Sequence, residues 1–206
     1  MAIFVTSKSP SWPISVGAEG IAAAQFARCG FDVLVQAGRD KPWYDLVVTR
    51  DGSLLKVSVK ASETGQWGLA ESYIRRTAEV GGNRLDCRNA VDMWADSYGS
   101  RTICCLVQFQ GAAIHQLPRI YLAYPSEIAL RMRVCAERTG HCALIEEYEW
   151  TSPDGDRHIE VLPVTWLFSE KRIQELSSPQ PVSWPVRSVA SVPAVPEIRP
   201  DVALTA

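Results

Sequence analysis

Several residues and patterns that would each have pointed to a function class are scarce or missing in this chain. Histidine occurs only at His115, His141 and His158 in 206 residues. None is spaced to serve a nucleophile, so a Ser/His/Asp or Cys/His hydrolase finds no support. The six cysteines (Cys29, Cys87, Cys104, Cys105, Cys135, Cys142) include no Cys-x-x-Cys pair, and Cys135, His141 and Cys142 match no zinc spacing. Buried free thiols in a reducing cytosol are the expectation for them. No stretch approaches the roughly 20 apolar residues of a membrane span. Met1–Lys8 has no basic region ahead of an apolar one, which speaks against a secretory signal and for a cytoplasmic protein. Gly81-Gly82-Asn83-Arg84 lacks the lysine and the strand–helix setting of a phosphate loop. Positive charge is not in excess: 21 Lys and Arg against 23 Asp and Glu leave a net charge of −2. That excludes a histone-like coat of charge, but not an enzyme whose basic groups line one groove.

What is present is a core. Apolar residues make up 47% and charged residues 21% of the chain, which suits one globular α/β domain over residues 1–177. A helix is expected at 17–29, with Gly30 as its stop. Strands are expected at 31–36, 44–49, 54–60, 102–109 and 119–124, with helices at 89–98 and from 125. A strand pair at 142–150 and 158–162 and a short helix at 165–176 complete the domain. From residue 178 prolines recur among Ser, Val and Ala, so this segment reads as a flexible Pro-rich tail.

The stretch from Gly17 to Lys60 carries the chemistry. Glu19 opens an apolar helical run, Asp45 stands at the start of one strand and Lys60 at the end of the next. Asp51-Gly52 between the two strands is a strong hairpin signal, so Asp45 and Lys60 fall on adjacent antiparallel strands at the ends away from the turn. Alternation puts Ser58 and Lys60 on one face and Val57 and Val59 on the other. Asp45 can hold a hard divalent cation through oxygen, and Glu19 can reach the same ion directly or through water. Lys60 can orient water and neutralise charge developing on a phosphate.

These residues resemble the motifs of the PD-(D/E)XK nuclease superfamily, in its restriction-endonuclease-like and Holliday-junction-resolvase-like branches. The likeness spans residues 16–62 and continues weakly to about residue 125. Glu19 in Gly17-Ala18-Glu19 matches the helical Glu, and Asp45 in Tyr44-Asp45-Leu46 matches the strand Asp. Ser58-Val59-Lys60 matches the third motif, with serine where the family has an acidic residue or an amide. The resemblance implies a mixed central sheet flanked by helices and an endonuclease hydrolysing DNA with Mg²⁺ or Mn²⁺. It implies Glu19, Asp45, Ser58 and Lys60 as catalytic positions, and Glu19, Asp45 and the Val59 carbonyl as metal ligands. Glu63 or Glu71 would be a displaced ligand. Lys41, Trp67, Arg75, Arg76 and Arg84 would contact the nucleic acid; the competing reading of the arginines is a solvated face balanced by Glu71, Glu79 and Asp86. DNA is the expected partner and a homodimer the candidate assembly, with no membrane association. The alternative class is a nuclease fold that has lost catalysis and binds nucleic acid or protein in a phage, mobile-element or defence system.

Overall fold

A computed structural model describes residues 11–36, 44–74 and 86–178, with side chains from Ile14 onward in the first of these. The Pro-rich tail, Lys41, Arg75, Arg76 and Arg84 lie outside the described residues. Helix α1 runs Ser11–Arg28, several residues longer at its start than the sequence suggests. Pro13 sits in the first turn, where its missing N–H costs nothing, so it does not mark a boundary. Ala18, Ala22 and Phe26 recur every four residues and are fully buried. Gly30, at φ 79°, ends the helix in the left-handed region that glycine enters without strain.

Three antiparallel strands follow: β1 (Asp32–Val35), β2 (Leu46–Arg50) and β3 (Ser53–Ser62). Asp51 and Gly52 have φ of 51° and 76°, both positive, as the two-residue hairpin turn requires. A short β4 (Gln66–Trp67) comes next, then α2 (Cys87–Asp96), β5 (Thr102–Gln108) and β6 (Arg119–Ala123). The central sheet has the order β1-β2-β3-β5-β6. Only the β3–β5 pair is parallel, in register from Lys56↔Thr102 to Ser62↔Gln108. Alternation along β3 and β5 sorts the core into two layers. Val57, Val59, Ile103, Cys105 and Val107 pack against α1 together with Ile173 and Leu176. Cys104 and Leu106 pack on the other side with Trp67, Val91 and Trp94.

Helix α3 (Pro125–Thr139) starts where the Glu127 carboxylate accepts the Tyr124 N–H at 2.7 Å, and stops at Gly140. The strand expected at 142–150 is two pieces serving different sheets: β7 (Leu144–Ile145) pairs with β4, and β8 (Glu147–Thr151) forms a hairpin with β9 (Arg157–Val161). The helix expected at 165–176 is a 3-10 turn at Val164–Trp166 followed by α4 (Glu170–Ser177), capped by the Ser169 hydroxyl. One cysteine expectation is corrected. Cys87 and Cys142 are joined by a disulfide, with Cα atoms 5.2 Å apart, linking the start of α2 to the segment after α3. Their separation of 55 residues carries no sequence signature. Cys29, Cys104, Cys105 and Cys135 are free.

Candidate active site

The cleft arises because β3 outlasts β2. On one side β3 is paired with β5 to its last residue; on the other, β2 pairing ends at Leu46↔Val57. Asp45 lies at that end. Its N–H reaches the Val57 carbonyl at 2.8 Å although Leu46 is the register partner of Val57, so the chain is bulged here and the Asp45 side chain is re-aimed. One carboxylate oxygen then accepts the Val59 N–H at 2.7 Å, doing for β3 what the next residue of β2 would have done. A strand residue sends its N–H and C=O to the same side, so the Val59 carbonyl faces this notch as well.

Ser15, Glu19, Asp45, Val59, Lys60, Ala61, Gln66, Trp67, Gly68 and Leu69 line a cleft of about 370 Å³ at the notch. Glu19, Asp45 and Lys60 are therefore together, each half-buried, brought by α1, the bulged end of β2 and the far end of β3. The opposite wall is the reversal after β3. Ser62 donates to the Gln66 carbonyl at 2.8 Å, Gly65 turns at φ 81°, and the Trp67 indole N–H donates to the Lys60 carbonyl at 3.1 Å. The Ser62 hydroxyl is held in turn by the fully buried Gln108 amide at 3.2 Å.

One expected site residue stands elsewhere, and another lines the cleft without the exposed face expected of it. Ser58 is 1% exposed and is not part of the cleft lining. Its hydroxyl is hydrogen-bonded with the Tyr98 phenol, whose pKa burial raises above the ordinary value. Beside it burial pushes the Cys104 thiol up to about 12, against the pull of the Lys60 charge. Trp67, expected to offer an open face to a base, is 2% exposed and packs in the core with Trp94 and Leu106. Glu63 and Glu71 are exposed and outside the lining. Sequence reading missed Ser15, Ala61, Gln66, Gly68 and Leu69. No local pattern says that the stretch holding the last three folds back over Lys60.

Among the described residues no three Asp, Glu, His or Cys side chains form a metal-binding group. Two carboxylates and one main-chain carbonyl remain at the notch. That hard-oxygen set suits Mg²⁺, which takes one or two carboxylates and fills its other positions with water and phosphate oxygens.

No protein-family model and no curated protein sequence matches the chain. Solved structures similar in fold include two nucleases. One is Hjc of Archaeoglobus fulgidus, a Holliday junction resolvase from an archaeal hyperthermophile: 15% identity, TM-score 0.33, covering 54% of this chain and 73% of that one. The other is the bacterial homing endonuclease I-Ssp6803I: 19% identity, TM-score 0.35, covering 59% and 74%. The fold is a mixed α/β one, a central and mostly antiparallel sheet flanked by helices. The likeness is one of fold, and the functional reading rests on the cleft. No helix among the described residues is long and apolar enough to cross a membrane.

Proposed function

We propose that this chain is a divalent-metal-dependent endonuclease that hydrolyses DNA phosphodiester bonds. The observation that supports it best is the convergence of Glu19, Asp45 and Lys60 on one cleft from three separate elements. Hydrolysis adds a water oxygen to phosphorus and breaks one P–O ester bond; the water's proton leaves and the departing oxygen gains one. Glu19, Asp45 and the Val59 carbonyl would hold Mg²⁺ or Mn²⁺. When bound, that cation supplies Lewis acidity at the phosphoryl oxygens and acidifies water. Lys60 orients the attacking water and balances charge on the non-bridging oxygens. The Val59 N–H holds the Asp45 carboxylate in place, so the ligand is preorganised.

A second reading has one observation in its favour. With Ser58 turned into the core, the notch keeps two carboxylates and no third among the described residues, which suits a nuclease fold that binds without cutting. One experiment separates the two: purified protein is incubated with supercoiled, branched and single-stranded DNA in Mg²⁺ and in Mn²⁺. Cleavage lost in Asp45→Asn supports the enzyme; binding without cleavage by the wild type supports the second reading. Cleavage unchanged in Asp45→Asn overturns the assigned site. A homodimer belongs to the same proposal and is read by light scattering.

A further inference from the structure

We infer that Trp67 is a positioning residue for Lys60, acting through its indole N–H; this rests on the nuclease reading above. Lys60 is near the end of β3, where the strand has lost its β2 neighbour and is about to reverse. A lysine there would sit on a stretch of main chain supported from one side only. The Lys60 carbonyl faces the other way, toward β5, and there the return strand brings it a further donor. The Trp67 indole N–H donates to the Lys60 carbonyl at 3.1 Å across the turn. The indole is itself fixed: it is 2% exposed and packed with Trp94, Leu106 and Leu144. Its own main chain is tied by β4–β7 pairing, Trp67↔Leu144, and the preceding carbonyl by the Ser62 hydroxyl.

Core packing needs only the hydrocarbon of the indole. It does not need the N–H aimed at the carbonyl of Lys60, the one cationic residue lining the cleft among the described residues. A phenylalanine or leucine would fill the layer and leave that carbonyl without this donor. The N–H is therefore the part of Trp67 with a use beyond packing, and the use is to fix where the Lys60 Cα stands relative to Asp45. Errors of about 1 Å in such placements cost on the order of a hundredfold in rate.

The test replaces Trp67 with β-(benzothiophen-3-yl)alanine, which keeps the shape of the indole and puts sulfur where the N–H was. Trp67→Phe serves as the genetically encoded version and 5-fluorotryptophan as the control that keeps the donor. Steady-state cleavage and thermal melting are measured for each, with and without Lys60→Met. The expected result is a fall in kcat of about 10- to 100-fold for the benzothiophene variant, with KM and melting temperature near wild type. The fluorotryptophan control retains wild-type kcat. With Lys60 already replaced by methionine, the benzothiophene substitution should cost no further rate, because the two changes remove one effect. Additive losses would show that Trp67 acts elsewhere and overturn the inference. An unchanged kcat in an active protein overturns it as well, while leaving the nuclease reading intact. A wild-type chain that cuts no DNA removes the reaction itself, and the positioning role with it.

Discussion

Asp45 shows how closely fold and chemistry share single atoms in this chain. The carboxylate oxygen that accepts the Val59 N–H is part of the sheet's hydrogen bonding, and the same group is the proposed metal ligand. Asp45→Asn keeps an acceptor for Val59 and loses the charge. It should leave unfolding free energy within about 1.5 kcal/mol of wild type and lower Mg²⁺-dependent cleavage by about 10²- to 10³-fold, read by denaturant titration and plasmid nicking. Ser58 behaves differently. It has the motif position where the nucleases that the sequence resembles carry an acidic residue or an amide, so Ser58→Glu would add a ligand if that position opened on the cleft. It is instead closed over by Tyr98 and Cys104. The expected outcome is a loss of about 3–5 kcal/mol, the cost of an uncompensated buried charge, and no gain in Mn²⁺ affinity by calorimetry. Tighter Mn²⁺ binding would show that the Glu reaches the notch. Glu19, Asp45 and Lys60 were legible in the sequence because each marks the start or end of a periodic run. The burial of Ser58 was not. Alternation fixes which face a residue takes, and only the distant Tyr98 decides what covers that face.

At the scale of elements, β3 is the organising piece, and its length decides where the cleft lies. Its hairpin with β2 could be read from Asp51-Gly52, since a two-residue turn with positive φ fixes register locally. Its parallel partner β5 could not, because that pairing is made across α2 and leaves no local mark. Strands of two residues such as β4 and β7 have no period to detect, so the wall over Lys60 was invisible. Two joints between elements carry predictions. The disulfide ties α2 to the end of α3; a closed loop of this size contributes about 2–4 kcal/mol. Reduction, or Cys87→Ser with Cys142→Ser, should lower the melting temperature by roughly 5–12 °C, read by scanning calorimetry with and without reductant. The second joint links β6 to the segment between β7 and β8. The Arg119 guanidinium donates to Glu146 at 2.7 and 2.8 Å, and the Tyr121 hydroxyl donates at 2.6 Å. The Arg119 hydrogen bonds hold the Glu146 carboxyl below its ordinary value of 4.5. The folded state thus binds this proton less readily than the unfolded chain does. The joint contributes fully above the ordinary value, and its contribution drains away as pH falls through the lowered one. From about pH 6 to about pH 3, wild type should lose melting temperature more steeply than Glu146→Gln. Parallel curves would show that the joint contributes nothing.

Among the described residues a central sheet carries a helical layer on each face, with two small two-stranded sheets beside it, and the two layers are assembled differently along the chain. The face carrying α2 and α3 draws on the middle of the sequence. The face carrying α1 joins residues from opposite ends of the described chain: Phe26 meets the Phe168 ring edge-on at 5.1 Å, and Ile173 and Leu176 complete the same cluster. Arg172 fastens that last helix, donating to the Leu122 carbonyl at 3.1 Å and to Glu127. The Tyr124 hydroxyl adds a bond to the Leu176 carbonyl at 2.6 Å. This has a consequence for synthesis. Chains leave the ribosome from the N-terminus, so α1 emerges long before the residues that seal its apolar side. Ala18, Ala22 and Phe26 wait with the first hairpin, exposed, until Phe168 and Ile173 follow. The helix that brings Glu19 to the cleft is thus the first to be made and among the last to be secured, and the nascent chain holds an unfinished site until the domain is almost complete.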